Sequence, residues 1–318
     1  MKISVLGCGR WGSFIAWYLV NQGNEVKLWG LEDSHTFLEL KNNGKNEYIT
    51  LDERIDLTSD LKSALSSDYI IISISSQGLR GFMKKIIEYN IKDKIFILCM
   101  KGIEESTGKR LSEVMVESGV SPDKIAVWVG PGHIQEFTKG VPNCMVIDSE
   151  NKELIRFLAD NFRSDLIRFY YGNDLIGSEI GAAAKNVMGI AAGMLDGGGY
   201  VTLKGPLMSR GAREVARLIK AMGGNELSAY GLCHLGDYET TLFSEFSNNR
   251  KFGEKFVKGE KFEKLAEGVM TSAAMKRLGE IYHEELPITN TVYSICFENA
   301  DPIESILKLF SRSLKCEF

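Results

Sequence analysis

Lys185 lies in the middle of residues 177–193, GSEIGAAAKNVMGIAAG, a segment apolar or small on nearly every helical face, as in a helix buried on all sides. An ammonium there is costly to bury unless an acidic partner holds it or its pKa falls, and either arrangement is useful for moving a proton. Asn186 supplies a second polar group beside it, and Gly236-Asp237, in a later loop, offers a carboxylate partner. On its own the lysine also suits a side chain that reaches back to the surface, or an ion pair with no chemistry.

A second constellation opens the chain. Leu6-Gly7-Cys8-Gly9-Arg10-Trp11-Gly12 places G-x-G-x-x-G directly after a first strand at 3–6 and at the start of a helix over 13–20. Gly7 permits the tight turn, Gly9 lets the backbone approach a pyrophosphate, and Gly12 allows close helix packing, while the helix N-terminus offers N–H donors to the anion. Strand, loop, helix and second strand follow in the order a dinucleotide site requires. The choice of nicotinamide cofactor stays open. Glu32 and Asp33, just past the second strand, suit a ribose 2′-hydroxyl and would repel a 2′-phosphate, whereas Arg10 in the loop would attract one.

Two kinds of patterning must position these residues. Over 1–173, β-branched and aromatic runs at 3–6, 26–29, 69–74, 95–100, 125–129, 144–147 and 166–170 alternate with helical stretches. Near-continuous apolar strands such as Tyr69-Ile70-Ile71-Ile72 fit a parallel sheet covered on both faces, so this half reads as a Rossmann-like, doubly wound α/β domain. Gly172-Asn173-Asp174 forms a turn, with Asp174 as helix N-cap. Over 174–318 the strand signal fades and helices are expected at 178–196, 206–222, 225–232, 250–282 and 302–314, giving an all-α second domain. Two domains in 318 residues imply a cleft.

Composition removes several function classes. With 38 Lys and Arg against 42 Asp and Glu, and no basic cluster, the chain is not expected to bind nucleic acid. The six cysteines (Cys8, Cys99, Cys144, Cys233, Cys296, Cys316) are scattered without a C-x-x-C pair and read as reduced; with only four histidines, no metal site is expected. There is no signal peptide pattern, and the weakly polar stretch at 176–195 is broken by Glu179, Lys185 and Asn186, which argues for burial in protein rather than stable membrane insertion. A cytoplasmic protein is expected.

Taken in order, the motifs resemble those of the NAD(P)-dependent sn-glycerol-3-phosphate dehydrogenase family over essentially the whole chain. They are G-x-G-x-W-G at 7–12, Met100-Lys101-Gly102-Ile103, Gly130-Pro131-Gly132-His133, Glu179-Ile180-Gly181 through Ala184-Lys185-Asn186, Ser209-Arg210-Gly211, Gly236-Asp237, Ser247-Asn248-Asn249-Arg250, Glu267-Gly268 and Glu285-Leu286-Pro287-Ile288-Thr289. The resemblance implies a Rossmann-like domain followed by a helical one, and interconversion of dihydroxyacetone phosphate and sn-glycerol 3-phosphate with NAD or NADP, feeding glycerophospholipid synthesis. It further implies a homodimer and a small phosphorylated substrate.

By the same resemblance Lys185 donates and accepts the proton at the substrate C2 oxygen, Asp237 orients it, and Lys101 is a second cation near the reacting carbonyl. Thr241, Ser247, Asn248 and Asn249, with Asn186 and backbone at Gly130 and Gly132, would hold substrate oxygens. Gly7, Gly9, Arg10, Trp11, Gly12, Lys101, Ile134, Asn248, Leu265 and Glu267 fall at cofactor-contacting positions.

Four departures from the family pattern gather around the implied substrate site. Asn248 stands where relatives carry an arginine, and a neutral amide does not reproduce a bidentate guanidinium; Arg250 or Lys251 is a candidate replacement. Residues 197–206, GGGYVTLKGP, lack the usual Asp-Asn, with Pro206 in the first turn of the next helix. Gly132 replaces Ser or Thr, and Tyr238-Glu239 replaces apolar residues. Two other readings therefore stand beside the first: a dehydrogenase of another phosphorylated or acidic hydroxy compound, and a protein that senses NAD(P)H without turnover.

Overall fold

The computed structural model describes residues 1–313, so Cys316 and the end of the helix expected at 302–314 lie outside the described residues. The chain divides into two units. One comprises Met1–Lys101 and Lys109–Glu179; the other comprises Gly102–Gly108 and the chain from Ile180 onward.

The first unit is built on one eight-stranded sheet: β1 Lys2–Leu6, β2 Glu25–Trp29, β3 Ile55–Thr58, β4 Tyr69–Ile72, β5 Ile95–Leu98, β6 Ile125–Val129, β7 Asn143–Ser149 and β8 Ile167–Tyr171, in the order β3-β2-β1-β4-β5-β6-β7-β8. All neighbours are parallel except β6 and β7, which run antiparallel, so the sheet is mixed. Burial follows the apolar runs: β6 is buried at every residue, and β4 at Ile70, Ile71 and Ile72. β3, Ile-Asp-Leu-Thr at the sheet edge, has one buried residue and carried no apolar run in the sequence.

The strand order reverses between β1 and β4, so the end of β1 opens at a switch point, where ligands of doubly wound sheets bind. The helix that follows spans Arg10–Asn21 rather than 13–20, which puts Gly12 inside its first turn.

Among the described residues of the second unit no strand occurs. Its longest helix, Leu175–Gly197, begins in the last residues of the first unit and continues through the second. Fully buried alanines at 183, 184, 191 and 192 lie along it, and Gly189, Gly193 and Gly197 repeat at every fourth position. That glycine row meets the helix Asn248–Val257 backbone to backbone: a Cβ on Gly193 would collide with the Arg250 carbonyl, and one on Gly253 with the Ile190 carbonyl. The region expected as one helix at 250–282 is two, ending at Val257 and restarting as Glu267–Ile281, because the charged run KGEKFEKL at 258–265 offers no apolar stripe to bury. The segment at 225–232 is a 3-10 turn, Glu226–Tyr230.

The helix Pro287–Phe297 was not foreseen, since Ile, Thr, Val, Tyr and Phe dominate it and favour strands intrinsically. Buried Glu214 forms it from outside, accepting from the Ile288 N–H at 2.8 Å and the Thr289 N–H at 3.0 Å. No helix of the described residues is long and apolar enough to cross a membrane.

Candidate functional site

In the first unit, the loop after β1 has the shape its glycines suggested. Gly7 has φ +115°, and any Cβ there would run into the Ser73 carbonyl after β4, so the turn that brings β1 to its helix is open to glycine alone. A Cβ on Gly12 would collide with the Gly7 carbonyl, whereas Gly9 has open space around its Cβ position. Gly9 is the N-cap, and no side chain caps the helix start. An open, glycine-floored cradle at an uncapped helix N-terminus fits the pyrophosphate of a dinucleotide.

Arg10, next in the loop, lies over the Tyr48 ring at 5.2 Å and donates to Gln135 Oε1 at 3.3 Å, while Glu32 and Asp33 are exposed beyond β2. Trp11 packs on Phe14, with ring centroids 5.1 Å apart. Ile134, expected near the cofactor, is fully buried in the core at the start of the helix Ile134–Phe137. Lys101 donates from Nζ to the Gly130 carbonyl at 2.5 Å, so two residues named from separate motifs meet. Gly132 has φ +154°, and a Cβ there would strike the Phe137 ring, which stacks on Phe14 at 5.0 Å. The space a serine would need at 132 is filled by Phe137.

The start of the long helix is tied down within this unit. Asp148, fully buried on β7, accepts from the Ser178 hydroxyl at 2.7 Å and the Asp174 N–H at 3.2 Å. Glu179 accepts from Arg110 at 2.7 Å, the Ser112 N–H at 2.9 Å and the Ser112 hydroxyl at 2.6 Å. Burial pushes both carboxyl pKa values up, against the pull of these donors.

In the second unit, Lys185 does not reach the surface. Its side chain is 9% exposed, and Nζ sits 2.6 Å from Asp237 Oδ2, whose side chain is 1% exposed. Nζ also donates to the Thr241 hydroxyl at 2.9 Å, and the Thr240 hydroxyl donates to the other Asp237 oxygen. Asp237 ends the 3-10 turn Leu235–Asp237, and Thr241 belongs to the π-helical turn Glu239–Phe243. A π-turn widens the backbone and turns its side chains off the α-helical register, here toward the lysine. A buried, charge-balanced ammonium hydrogen-bonded to a hydroxyl is a proton donor held at a fixed point.

Beside Lys185 in the chain, Asn186 Oδ1 accepts from Asn249 Nδ2 at 3.0 Å, and Asn249 Oδ1 accepts from the Gly268 N–H at 2.9 Å, so both amides are oriented. Ser247 caps the helix Asn248–Val257, accepting from the Arg250 N–H at 3.2 Å. Asn248 and Glu267 are half-buried, and Leu265 is exposed.

The comparisons with known proteins agree from end to end. The family model for the NAD-dependent glycerol-3-phosphate dehydrogenase N-terminus matches residues 2–155, and the one for its C-terminus matches residues 174–307. The chain belongs to the NAD-dependent glycerol-3-phosphate dehydrogenase family. Among its relatives, the glycerol-3-phosphate dehydrogenase [NAD(P)+] of Thermoanaerobacter sp. (strain X514) is 37% identical over 100% of this chain and 99% of its own. That of Prosthecochloris aestuarii is 35% identical over 100% of both. The crystal structure of glycerol-3-phosphate dehydrogenase from Coxiella burnetii superposes with a TM-score of 0.89 at 27% identity, covering 98% of this chain and 99% of that one.

For this member of the glycerol-3-phosphate dehydrogenase family, the structure accounts for part of what the motifs left open. Arg250, a candidate replacement for an arginine at 248, has its guanidinium 2.6 Å from Asp196 and 3.1 Å from Glu254. Asp196 also pairs with buried Lys204 at 2.6 Å, and Lys204 donates to the Leu242 carbonyl at 3.1 Å, which ties the π-turn to the departing segment at 197–206. Thr240, Asp196 and Lys204 were not singled out from the sequence; a threonine beside a threonine and a lysine in a glycine-rich run carry no mark of burial.

Proposed function

We propose that this protein reduces dihydroxyacetone phosphate to sn-glycerol 3-phosphate and runs the reverse reaction, with Lys185 as the proton donor and acceptor. The observation that carries the residue assignment is the buried Lys185–Asp237 pair at 2.6 Å, with Thr241 on the same ammonium. When bound, NAD(P) supplies the hydride carrier. The loop of Gly7, Gly9 and Gly12 with its helix N-terminus would hold the pyrophosphate, with Arg10 and Trp11 next in the loop.

Lys185 Nζ hydrogen-bonds the C2 oxygen of the ketone, stabilises the charge that gathers there, and passes it a proton as the C2–H bond forms. In the oxidative direction the neutral amine takes the hydroxyl proton back. Asp237 and Thr241 keep Nζ on one line of approach, and the Asn186–Asn249 pair presents amide groups to substrate oxygens. By the family resemblance Lys101, whose ammonium is held by the Gly130 carbonyl, supplies a second positive charge. Ser247 and Asn248, at the start of the helix that carries Asn249, are assigned to the phosphate by the same resemblance. The family resemblance supports a cytoplasmic homodimer as the working form.

The test follows NADH and NADPH absorbance separately after dihydroxyacetone phosphate is added to the purified protein and to Lys185→Ala. The variant is expected to lose about 10²–10⁴-fold in kcat, the usual contribution of a general acid–base group. A Lys185→Ala enzyme as fast as the wild type would remove the lysine from this role. Comparing the two cofactors also decides whether Arg10 or the acids at 32 and 33 govern the choice.

A further inference from the structure

We propose that His234 and Tyr238 form a positioning pair that fixes the Asp237 carboxylate against Lys185. The two residues flank Asp237 in sequence, three before and one after, and both are fully buried. His234 Nδ1 lies 2.9 Å from the Gly181 carbonyl, and the Tyr238 hydroxyl lies 2.6 Å from His234 Nε2. A carbonyl only accepts, so with its proton on Nδ1 the ring donates to Gly181 and Nε2 accepts from the Tyr238 O–H; the Gly211 carbonyl also faces the ring and is the acceptor that the other tautomer would use. Gly181 is four residues before Lys185, so in the helix its carbonyl is also the acceptor of the Lys185 peptide N–H. The turn that carries Asp237 is thus bonded to the carbonyl that anchors the Lys185 peptide.

Tyr238 sets which tautomer His234 adopts. Without the phenol, a neutral imidazole has no fixed reason to keep its proton on Nδ1, and a proton on Nε2 would release Gly181. Space for both rings is made by glycines on the facing helices: a Cβ at Gly181 would lie 3.1 Å from His234 Cβ, and one at Gly211 would lie 3.0 Å from the Tyr238 oxygen. The ionisable groups facing the pair are Asp237, Lys185 and, toward Tyr238, Glu214.

The inference rests on Lys185 as the proton donor, and its test separates the two. Dihydroxyacetone phosphate reduction is measured across the pH range for the wild type, Tyr238→Phe, His234→Ala, His234→Asn and the His234→Asn/Tyr238→Phe double variant, with Lys185→Ala beside them. Tyr238→Phe is expected to lower kcat roughly three- to tenfold, with KM for NADH unchanged, because a small displacement of a catalytic group is costly. Loosening the carboxylate weakens its hold on the charged lysine, so the basic limb of the kcat profile moves down by roughly half to one pH unit.

His234→Ala is expected to lose more, and His234→Asn, whose amide N–H replaces Nδ1–H, to recover most of it and to make Tyr238→Phe silent. Nitrogen-15 NMR of labelled histidine reads the tautomer without turnover: Nδ1–H in the wild type, shifted in Tyr238→Phe. Wild-type kcat and pH profile in Tyr238→Phe, even at lower thermal stability, or an Nε2–H tautomer in the wild type, would overturn the proposal. Full activity of Lys185→Ala would instead overturn the assignment beneath it, with the tautomer still reporting on the pair.

Discussion

A histidine sealed from water pays for every proton it takes up. Burial pushes the His234 pKa down to about 4 from 6.5, the largest influence on it, so the ring is neutral in the folded protein. Between those two values the unfolded chain binds a proton that the folded chain refuses, so stability is full above the unfolded pKa and is lost as pH falls from about 6.5 toward 4. His234→Asn keeps the donor to Gly181 and removes the titration. Between pH 7 and pH 5 the unfolding free energy of the variant should therefore gain about 2 kcal/mol relative to the wild type, read from urea melts at the two pH values. A constant difference would mean that the ring takes up its proton in the fold as readily as in the unfolded chain. At this scale Lys185 was legible because its neighbours are so uniformly small and apolar. Asp237 was legible only as a candidate, and His234 not at all, since a histidine in a loop sequence shows neither its burial nor the phenol that fixes its tautomer.

Elements were legible where one segment determined its own structure. The strands of the first unit declare themselves by apolar runs, and the glycine loop by its place after β1. What the sequence hid is what distant residues impose: β3 is an edge strand with little to bury, and the helix Pro287–Phe297 is initiated by Glu214 from another helix. The glycine row on Leu175–Gly197 is of the same kind, since its function is visible only once the helix Asn248–Val257 lies against it. Gly193→Ala inserts a methyl onto the Arg250 carbonyl and forces these helices apart. A loss of about 1–3 kcal/mol is expected, as for overpacked cores, read as a lower melting temperature. Because Asn249 rides on the displaced helix and its Cβ lies 3.3 Å from the Cβ position of Gly189, KM for the phosphorylated substrate should rise more than kcat falls. Unchanged stability and KM would show that the contact has slack.

For the whole molecule, the place where the chain changes character and the place where its contacts change hands are different. The sequence turns at Gly172-Asn173-Asp174, but the first unit extends to Glu179. The six residues from Asp174 to Glu179 carry the partners of two buried groups: the Asp174 N–H and Ser178 hydroxyl for Asp148, and the Glu179 carboxylate for Arg110, whose side chain is 11% exposed. A fragment of residues 1–173 leaves Arg110 only the more exposed Glu113 carboxylate at 3.3 Å and takes two of its donors from Asp148. Breaking a buried pair by removing one partner costs about 3–5 kcal/mol, a large share of a domain's stability. A fragment of residues 1–183 keeps every one of these bonds and differs by ten residues. Both fragments lack everything from residue 184 onward, and they differ only in residues 174–183, which carry the tether. The longer one should melt cooperatively and quench on titration with NADH. The shorter one should melt at a lower temperature or fail to stay in solution, and equal melting of the two would show that Asp148 and Arg110 find water when the helix start is gone.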